Sequence, residues 1–250
     1  MNPVMNPTAP DQPVPQAARA LGSYRYYDLL LSIFIVVLLI SNLVGQKLCK
    51  IGPFTVSGAN LLFPITYVFG DIFTEVYGYA ASRKAIWLGF FSNGLLALMS
   101  MLTVWLPPDP DWAKGPGQAA FALVFTQIPR IVLASLVAYW CGEFANSYAM
   151  ARMKIWTKGK MLWTRTIGST VVGQFVDTLV LDLIAFSFTT TWGGLARLFG
   201  FSYSFKVIWE ILATPFTYAI VGFLKRAEGI DTFDYKTDFN PFHIGSRRPR

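Results

Sequence analysis

The chain has 250 residues, of which 54% are hydrophobic and only 14% are charged, whereas soluble domains carry about 25% charged residues. This composition excludes an ordinary soluble domain and predicts an integral membrane protein. The net charge of +7 does not indicate nucleic-acid binding, because the Lys and Arg residues cluster at the ends of apolar segments instead of forming one basic patch.

The cysteine and histidine content excludes several kinds of catalytic site. Cys49 and Cys141 lie in or beside apolar runs without metal-binding spacing, so we interpret them as packing residues. The single histidine, His243, follows the last apolar segment. Neither a zinc site of the His-Glu-x-x-His type nor a serine–histidine hydrolase can be built in the membrane from these residues. The chain is therefore not expected to be an enzyme or to hold a cofactor.

Six apolar segments, each about as long as a bilayer-crossing helix, predict an all-α integral membrane protein with six transmembrane helices. The predicted spans are residues 27–47, 60–79, 85–106, 130–150, 167–189 and 203–224. Pro64 is expected to kink the second span, and residues 51–58 are expected to form a short loop. The predicted domains are a disordered N-terminal tail at 1–22, a six-helix membrane domain at 23–230 and a C-terminal tail at 231–250.

The distribution of basic residues predicts the orientation of these spans. Of the 21 Lys and Arg residues, 15 lie in the two terminal segments and in the loops that follow the second and fourth spans. Cytoplasmic loops are enriched in Lys and Arg, so both termini are predicted to be cytoplasmic.

Ionisable and amide side chains interrupt the apolar segments. In the second span, the stretch Gly70-Asp-Ile-Phe-Thr-Glu-Val-Tyr-Gly78 places Asp71 and Glu75 one helical turn apart on the same face. An ionisable residue at membrane depth costs about 2.5 to 3.5 kcal/mol on insertion scales, so both should face water, protein or a ligand. Glu143 and Asn146 lie three residues apart near the end of the fourth span, where an interfacial position is an equally good interpretation.

These polar side chains help to distinguish three functional classes of membrane protein: channels, enzymes and transporters. A channel usually has polar rings or a repeated filter motif, and this chain has neither. An intramembrane enzyme needs a nucleophile or a metal together with a base, and no predicted span contains histidine. A transporter or ligand-binding membrane subunit needs carboxylates, amides and aromatic rings around a cavity, which four of the spans supply. Transport is therefore favoured, although any single acid could instead pair with Arg130, Lys206 or Arg197 to neutralise its charge.

Six short motifs occur in collinear order along the chain. They are Gly70–Tyr79, Pro129–Ser135, Trp156–Gly159, Arg165–Thr170, Gly173–Thr178 and Asp238–Phe242. Together they resemble the queuosine precursor transporter family, within the vitamin uptake transporters, over about residues 27–242. The resemblance implies import of 7-cyano-7-deazaguanine or 7-aminomethyl-7-deazaguanine across the bacterial inner membrane, for salvage into a modified transfer-RNA base.

The same resemblance implies kinship with the substrate-binding subunits of energy-coupling-factor transporters. The alternative function is therefore a membrane subunit that binds another small vitamin-like molecule and depends on an ATPase partner. No Gly-x-x-x-x-Gly-Lys-Ser/Thr motif occurs in the chain, so any use of ATP requires another protein. The expected partners are a deazapurine substrate and the lipid bilayer; a homo-oligomer stays open, and proton coupling through Asp71 or Glu75 is a further hypothesis.

The implied substrate indicates how a site would be built. The guanine edge offers a ring N–H and an exocyclic amine, which one carboxylate accepts in matching geometry, while an amide can serve the ring carbonyl. The flat ring also stacks on aromatic side chains. The predicted substrate-binding residues are Asp71, Glu75, Gln174, Asp177, Asn42, Gln46 and Glu210, with Phe73, Tyr77 or Trp209 as stacking partners.

Overall fold

The computed structural model describes residues 24–44, 47–51, 54–58, 62–125, 129–186, 191–235 and 237–243. In chain order, the elements are α1 Tyr27–Val44, β1 Leu48–Ile51, β2 Phe54–Ser57, α2 Phe63–Ile72, α3 Tyr79–Trp105, α4 Pro110–Ala113, α5 Gly117–Phe125, α6 Pro129–Trp156, α7 Leu162–Phe186 and α8 Trp192–Glu228. Helix α2 continues as a π-helical turn over Phe73–Tyr77. The predicted tail at 1–22 and Gln46 lie outside the described residues.

Four of the described helices are long and apolar enough to cross a membrane. They are Tyr27–Val44, Tyr79–Trp105, Leu162–Ile184 and Trp192–Glu228. Large apolar side chains cover the outer surface of the bundle: Leu95, Leu212 and Phe216 are 60%, 63% and 71% exposed. Carboxylates, amides and hydroxyls are buried instead. Apolar surface outside and polar groups inside is the distribution expected of helices that face lipid, so the predicted helical membrane protein is confirmed.

Some element boundaries differ from the prediction. Helix α8 has 37 residues, because a helix can continue beyond the hydrocarbon core where its ends meet water or protein. The prediction of a loop at residues 51–58 is wrong in part, because Leu48–Ile51 and Phe54–Ser57 form two antiparallel strands. Two four-residue strands are too short to stand out in an apolar-run analysis, although the Gly-Pro dipeptide between them is a turn signal.

Helices α6 and α7 make the most extensive contact among the described helices. A Cβ added to Gly142 would lie 2.6 Å from the Cβ of Asp177, and one added to Gly173 would lie 2.6 Å from the Cβ of Asn146. Glycines at a crossing let two backbones approach closely, which is how membrane helices often associate. These two glycines therefore bring polar side chains of α6 and α7 side by side.

The segment after α8 returns to the bundle and packs against the beginning of α3. Asp234 accepts hydrogen bonds of 3.2 and 3.1 Å from the backbone N–H of Tyr79, at the N-terminus of α3, where a carboxylate is favoured by unpaired N–H groups and by the helix dipole. Arg83 donates to two backbone carbonyls of the segment at 2.8 and 2.9 Å. Trp87 Nε1 donates to the carbonyl of Pro241 at 2.8 Å. This segment is thus part of the packed structure.

Candidate functional site

Polar side chains from four helices converge inside the bundle. Asp71 lies at the end of α2, Glu143 and Asn146 lie on α6, Gln174 lies on α7 and Glu210 lies on α8. All five are buried, and Asp71 and Glu210 are only 1% and 0% exposed. Glu210 and Glu143 are both electrostatic neighbours of Asp71. We refer to these five residues as the acid–amide cluster.

Direct contacts join α2 and α6 within the acid–amide cluster. Asn146 Nδ2 donates a 3.1 Å hydrogen bond to Asp71 Oδ1. Gly70 lets Glu143 approach the backbone of α2, because a Cβ at Gly70 would lie only 2.9 Å from Glu143 Oε2. A larger residue at position 70 would therefore displace the Glu143 carboxylate or move the two helices apart.

Two buried tyrosines border the cluster. The Tyr67 side chain on α2 is a neighbour of Gln174, Glu143 and Glu210. The Tyr139 side chain on α6 is a neighbour of Glu143. These rings place aromatic surface next to the acids and amides.

Five acceptor oxygens of the cluster receive no hydrogen bond from the described part of the chain. They are Asp71 Oδ2, Asn146 Oδ1, Gln174 Oε1 and both carboxylate oxygens of Glu210. A buried acceptor left without a donor costs about 1 to 3 kcal/mol, and native proteins contain few of them. An interior so rich in acceptors is suited to a ligand that supplies N–H donors. Within the same ranges, no group of His, Cys, Asp and Glu side chains has a metal-binding arrangement.

Asp177 borders the cluster as a neighbour of Glu143, but its charge is compensated. It forms an ion pair with Lys206 of α8, and Lys206 also donates to the Thr178 hydroxyl at 3.2 Å. The sequence left open whether this acid serves a ligand or neutralises Lys206. The structure shows the ion pair, and a contact between Asp177 and a ligand stays a prediction.

Glu75, in the π-helical turn and 0% exposed, is surrounded by cations. Its carboxylate accepts from Arg165 Nη2 at 2.7 Å and Nε at 3.1 Å, and from Lys225 at 2.6 Å. Lys154 Nζ lies 3.5 Å from the same carboxylate. Asp231 joins the two lysines at 2.7 and 2.8 Å. We call these five residues the Glu75 network; it ties together the ends of α2, α6, α7 and α8 and the segment that follows α8.

The cations of the Glu75 network also affect the pKa of Asp231, which is partly exposed. Burial by itself would raise the pKa of Asp231, but Lys154 and Lys225 outweigh it, so the pKa lies below the usual value of an aspartate. Two carboxylates and three cations meet here, which leaves one formal positive charge. The Glu75 carboxylate thus already has its partners within the protein, and its role as a ligand contact stays a prediction.

The other predicted site residues make contacts of a different kind. Asn42 donates to Asn93 of α3 at 2.8 Å. Phe73 packs edge-on against aromatic rings of α1, and the Tyr77 hydroxyl donates to the last residue of α8 at 3.2 Å. Trp209 is 39% exposed on the outer surface. None of these contacts involves the acid–amide cluster.

The structure therefore brings together three of the predicted residues, Asp71, Gln174 and Glu210, and adds Glu143 and Asn146. A spacing of three residues puts Glu143 and Asn146 on one helix face, and that signal pointed to them in the sequence. Their position near the end of a predicted span obscured it, because α6 continues to Trp156 and places them well inside the helix.

Two comparisons with known proteins bear on the family to which the chain belongs. A family model described as "Putative vitamin uptake transporter" matches residues 57–220. A protein of Bacillus subtilis (strain 168) named "Probable queuosine precursor transporter" is 28% identical over 180 residues, which cover 72% of this chain and 77% of that protein. No solved structure matches the chain. Since the family model covers more than half of the chain, the protein belongs to the vitamin uptake transporter family and is a membrane transporter, not an enzyme.

Proposed function

We propose that the chain imports queuosine precursors, 7-cyano-7-deazaguanine and/or 7-aminomethyl-7-deazaguanine, across the bacterial inner membrane. The observation that carries the proposal is the set of buried acceptor oxygens on Asp71, Gln174 and Glu210, which no donor in the described ranges satisfies. The guanine edge supplies neighbouring N–H donors that such acceptors bind. The name of the Bacillus subtilis relative supports the same substrate class.

In this proposal Glu210 binds the guanine edge. Its two oxygens accept the ring N–H and the exocyclic amine side by side, and full burial favours both hydrogen bonds because water does not compete for them. The Gln174 amide serves the ring carbonyl, and Tyr67 or Tyr139 offers a surface for stacking. Further contacts that stay predictions are those of Glu75, Asp177, Asn42, Gln46, Phe73, Tyr77 and Trp209.

We also propose six membrane spans with both termini in the cytoplasm. The spans are α1, α2 with its π-helical turn, α3, α6, α7 and α8. Support comes from the end of the bundle where α1 begins and α8 finishes, since Glu228 accepts hydrogen bonds from the backbone of residues 25 and 26. The three cations of the Glu75 network, Lys154, Arg165 and Lys225, lie at this end. Basic residues are enriched at cytoplasmic ends of membrane helices, so we assign this end to the cytoplasm.

Uptake by the purified protein in sealed liposomes tests the proposed function. Radiolabelled 7-cyano-7-deazaguanine should accumulate saturably, and unlabelled 7-aminomethyl-7-deazaguanine should compete. Adenine should not compete, because its edge leaves acceptors unpaired and a site built for hydrogen bonds rejects such an analogue strongly. The Asp111→Asn variant, altered at an exposed position outside the cluster, should behave like the wild type. Absence of both binding and uptake would contradict the proposal.

The same experiment separates a solitary carrier from a subunit that needs an ATPase partner. A solitary carrier takes up substrate in liposomes that contain no other protein. A partner-dependent subunit binds the substrate with normal affinity but shows no uptake until an ATPase module is added.

A further inference from the structure

Three carboxylates of the acid–amide cluster have no ion-pair partner in the described part of the chain. No salt bridge among the described residues involves Asp71, Glu143 or Glu210. The two other acids close to them are compensated, Asp177 by Lys206 and Glu75 by Arg165 and two lysines. Asp182 of α7 is also buried without a salt bridge in the described ranges, but only in the acid–amide cluster do three such carboxylates come together.

Among the described residues, the surroundings of the three carboxylates supply no cation that pairs with them, since the three cations of the Glu75 network are bound to Glu75. The titratable neighbours are Tyr67 and Glu75 from α2 and its π-helical turn, Tyr139 from α6 and Asp177 from α7. Lys206 of α8 is bound to Asp177. Negative charges that are buried without a partner are strongly destabilising, so a site of this kind has to acquire positive charge or protons.

One buried carboxylate oxygen of Asp71 indicates where a positive charge would bind. Asp71 is 1% exposed, and while its Oδ1 accepts from Asn146, its Oδ2 has no donor within the described ranges. Glu143 reaches the same stretch of α2, with its Oε2 close to the backbone of Gly70. Two carboxylates from facing helices thus flank one place, next to the carboxylate of Glu210 that we assign to the guanine edge.

We infer that Asp71 and Glu143 form a cation subsite within the substrate-binding site, so that each substrate molecule is bound together with one positive charge. The inference rests on the proposed function. The charge has two sources, an ammonium group on the substrate itself or a proton taken from solution. In a deazaguanine, the 7-substituent lies on the opposite side of the fused rings from the edge assigned to Glu210, and the inference places an aminomethyl group in this position beside Asp71 and Glu143. A cyano group carries no charge, and binding of the cyano compound therefore requires the proton.

This subsite links substrate preference to pH. The complex with the ammonium compound holds one proton fewer on the protein than the complex with the neutral compound. The ratio of the two affinities should therefore change by up to tenfold per pH unit, with rising pH favouring the ammonium compound, because each bound proton contributes one unit of slope. An alkyl ammonium group keeps its proton at neutral pH, since a lysine side chain titrates near pH 10.4.

Binding of both compounds to the purified full-length protein at pH 6, 7 and 8 tests the inference. We expect the preference for 7-aminomethyl-7-deazaguanine over 7-cyano-7-deazaguanine to grow by up to tenfold per pH unit. We also expect proton uptake, measured by calorimetry in buffers with different ionisation enthalpies, to be about one proton greater for the cyano compound. A preference that does not vary with pH while both compounds still bind would overturn the inference but leave the proposed function intact. Binding of neither compound would overturn both.

The variant Glu143→Gln identifies the residue responsible. It removes one negative charge at constant shape, so the pH dependence of the preference should flatten, and the cyano compound should gain affinity relative to the aminomethyl compound at pH 8. Asp111→Asn removes an acid that is 85% exposed on its side chain and should retain the wild-type pH dependence. If Glu143→Gln binds both compounds with the wild-type pH dependence, Glu143 is not part of a cation subsite and the inference fails.

Discussion

The substitution Glu210→Gln tests the proposed substrate contact most directly. The Glu210 carboxylate is fully buried, and neither of its oxygens accepts a hydrogen bond from the described part of the chain. In Gln, one oxygen still accepts, but the other is replaced by an NH₂ group that would face a donor of the guanine edge. The variant therefore loses one hydrogen bond to a charged acceptor and gains an unfavourable contact between two donors.

The lost interaction sets the expected size of the effect. A hydrogen bond to a charged group contributes about 1.5 to 3 kcal/mol, and about 1.4 kcal/mol corresponds to a tenfold change in affinity. Affinity for 7-cyano-7-deazaguanine should thus fall roughly 10- to 150-fold. Thermal stability should be unchanged or higher, because no described ion pair of Glu210 is broken and an uncompensated buried charge is removed.

Glu75→Gln provides the matched comparison, since it is the same substitution at an equally buried acid. It breaks the ion pairs with Arg165 and Lys225, and breaking a buried pair typically costs about 3 to 5 kcal/mol. Glu75→Gln should therefore lower the Tm clearly, whereas Glu210→Gln should not. Equilibrium binding of radiolabelled substrate and tryptophan-detected thermal unfolding, both in detergent, measure the two quantities. Affinity within twofold of the wild type for Glu210→Gln, or a loss of Tm as large as that of Glu75→Gln, would refute the reasoning.

Three further predictions concern the surroundings of the site. Gly70→Ala should reduce substrate affinity, because its Cβ would lie 2.9 Å from Glu143 Oε2; Gly94→Ala, whose Cβ would meet nothing within 4 Å, is the control, and equal affinities for the two variants would contradict the prediction. Because ion pairs lower the pKa of Asp231, its stabilising effect should be complete above about pH 4 and lost as the pH falls below that value. The difference in Tm between Asp231→Asn and the wild type should therefore shrink on acidification, and a constant difference would argue against this. Trp87→Phe removes the 2.8 Å hydrogen bond to the C-terminal segment, so limited proteolysis should cut that segment faster; an unchanged rate would show that the bond does not hold it.

Sequence alone determined the class of the protein and the identity of several interior polar residues. A bilayer has a fixed thickness and makes buried polar and charged groups costly, so long apolar segments predict helices and the few acids and amides within them mark special positions. For this reason the sequence predicts Asp71, Gln174 and Glu210 as site residues. The family motifs added the substrate class, which periodicity and spacing could not supply.

Tertiary structure decided which charges are compensated. Asp71 and Glu75 look equivalent in the sequence, one turn apart in the same motif, yet Asp71 joins the acid–amide cluster while Glu75 meets cations. Arg165 lies 90 residues and Lys225 lies 150 residues along the chain from Glu75, and pairing over such separations depends on how helices pack against each other. Local sequence fixes the face on which a side chain lies, but only the packed bundle fixes what that face meets.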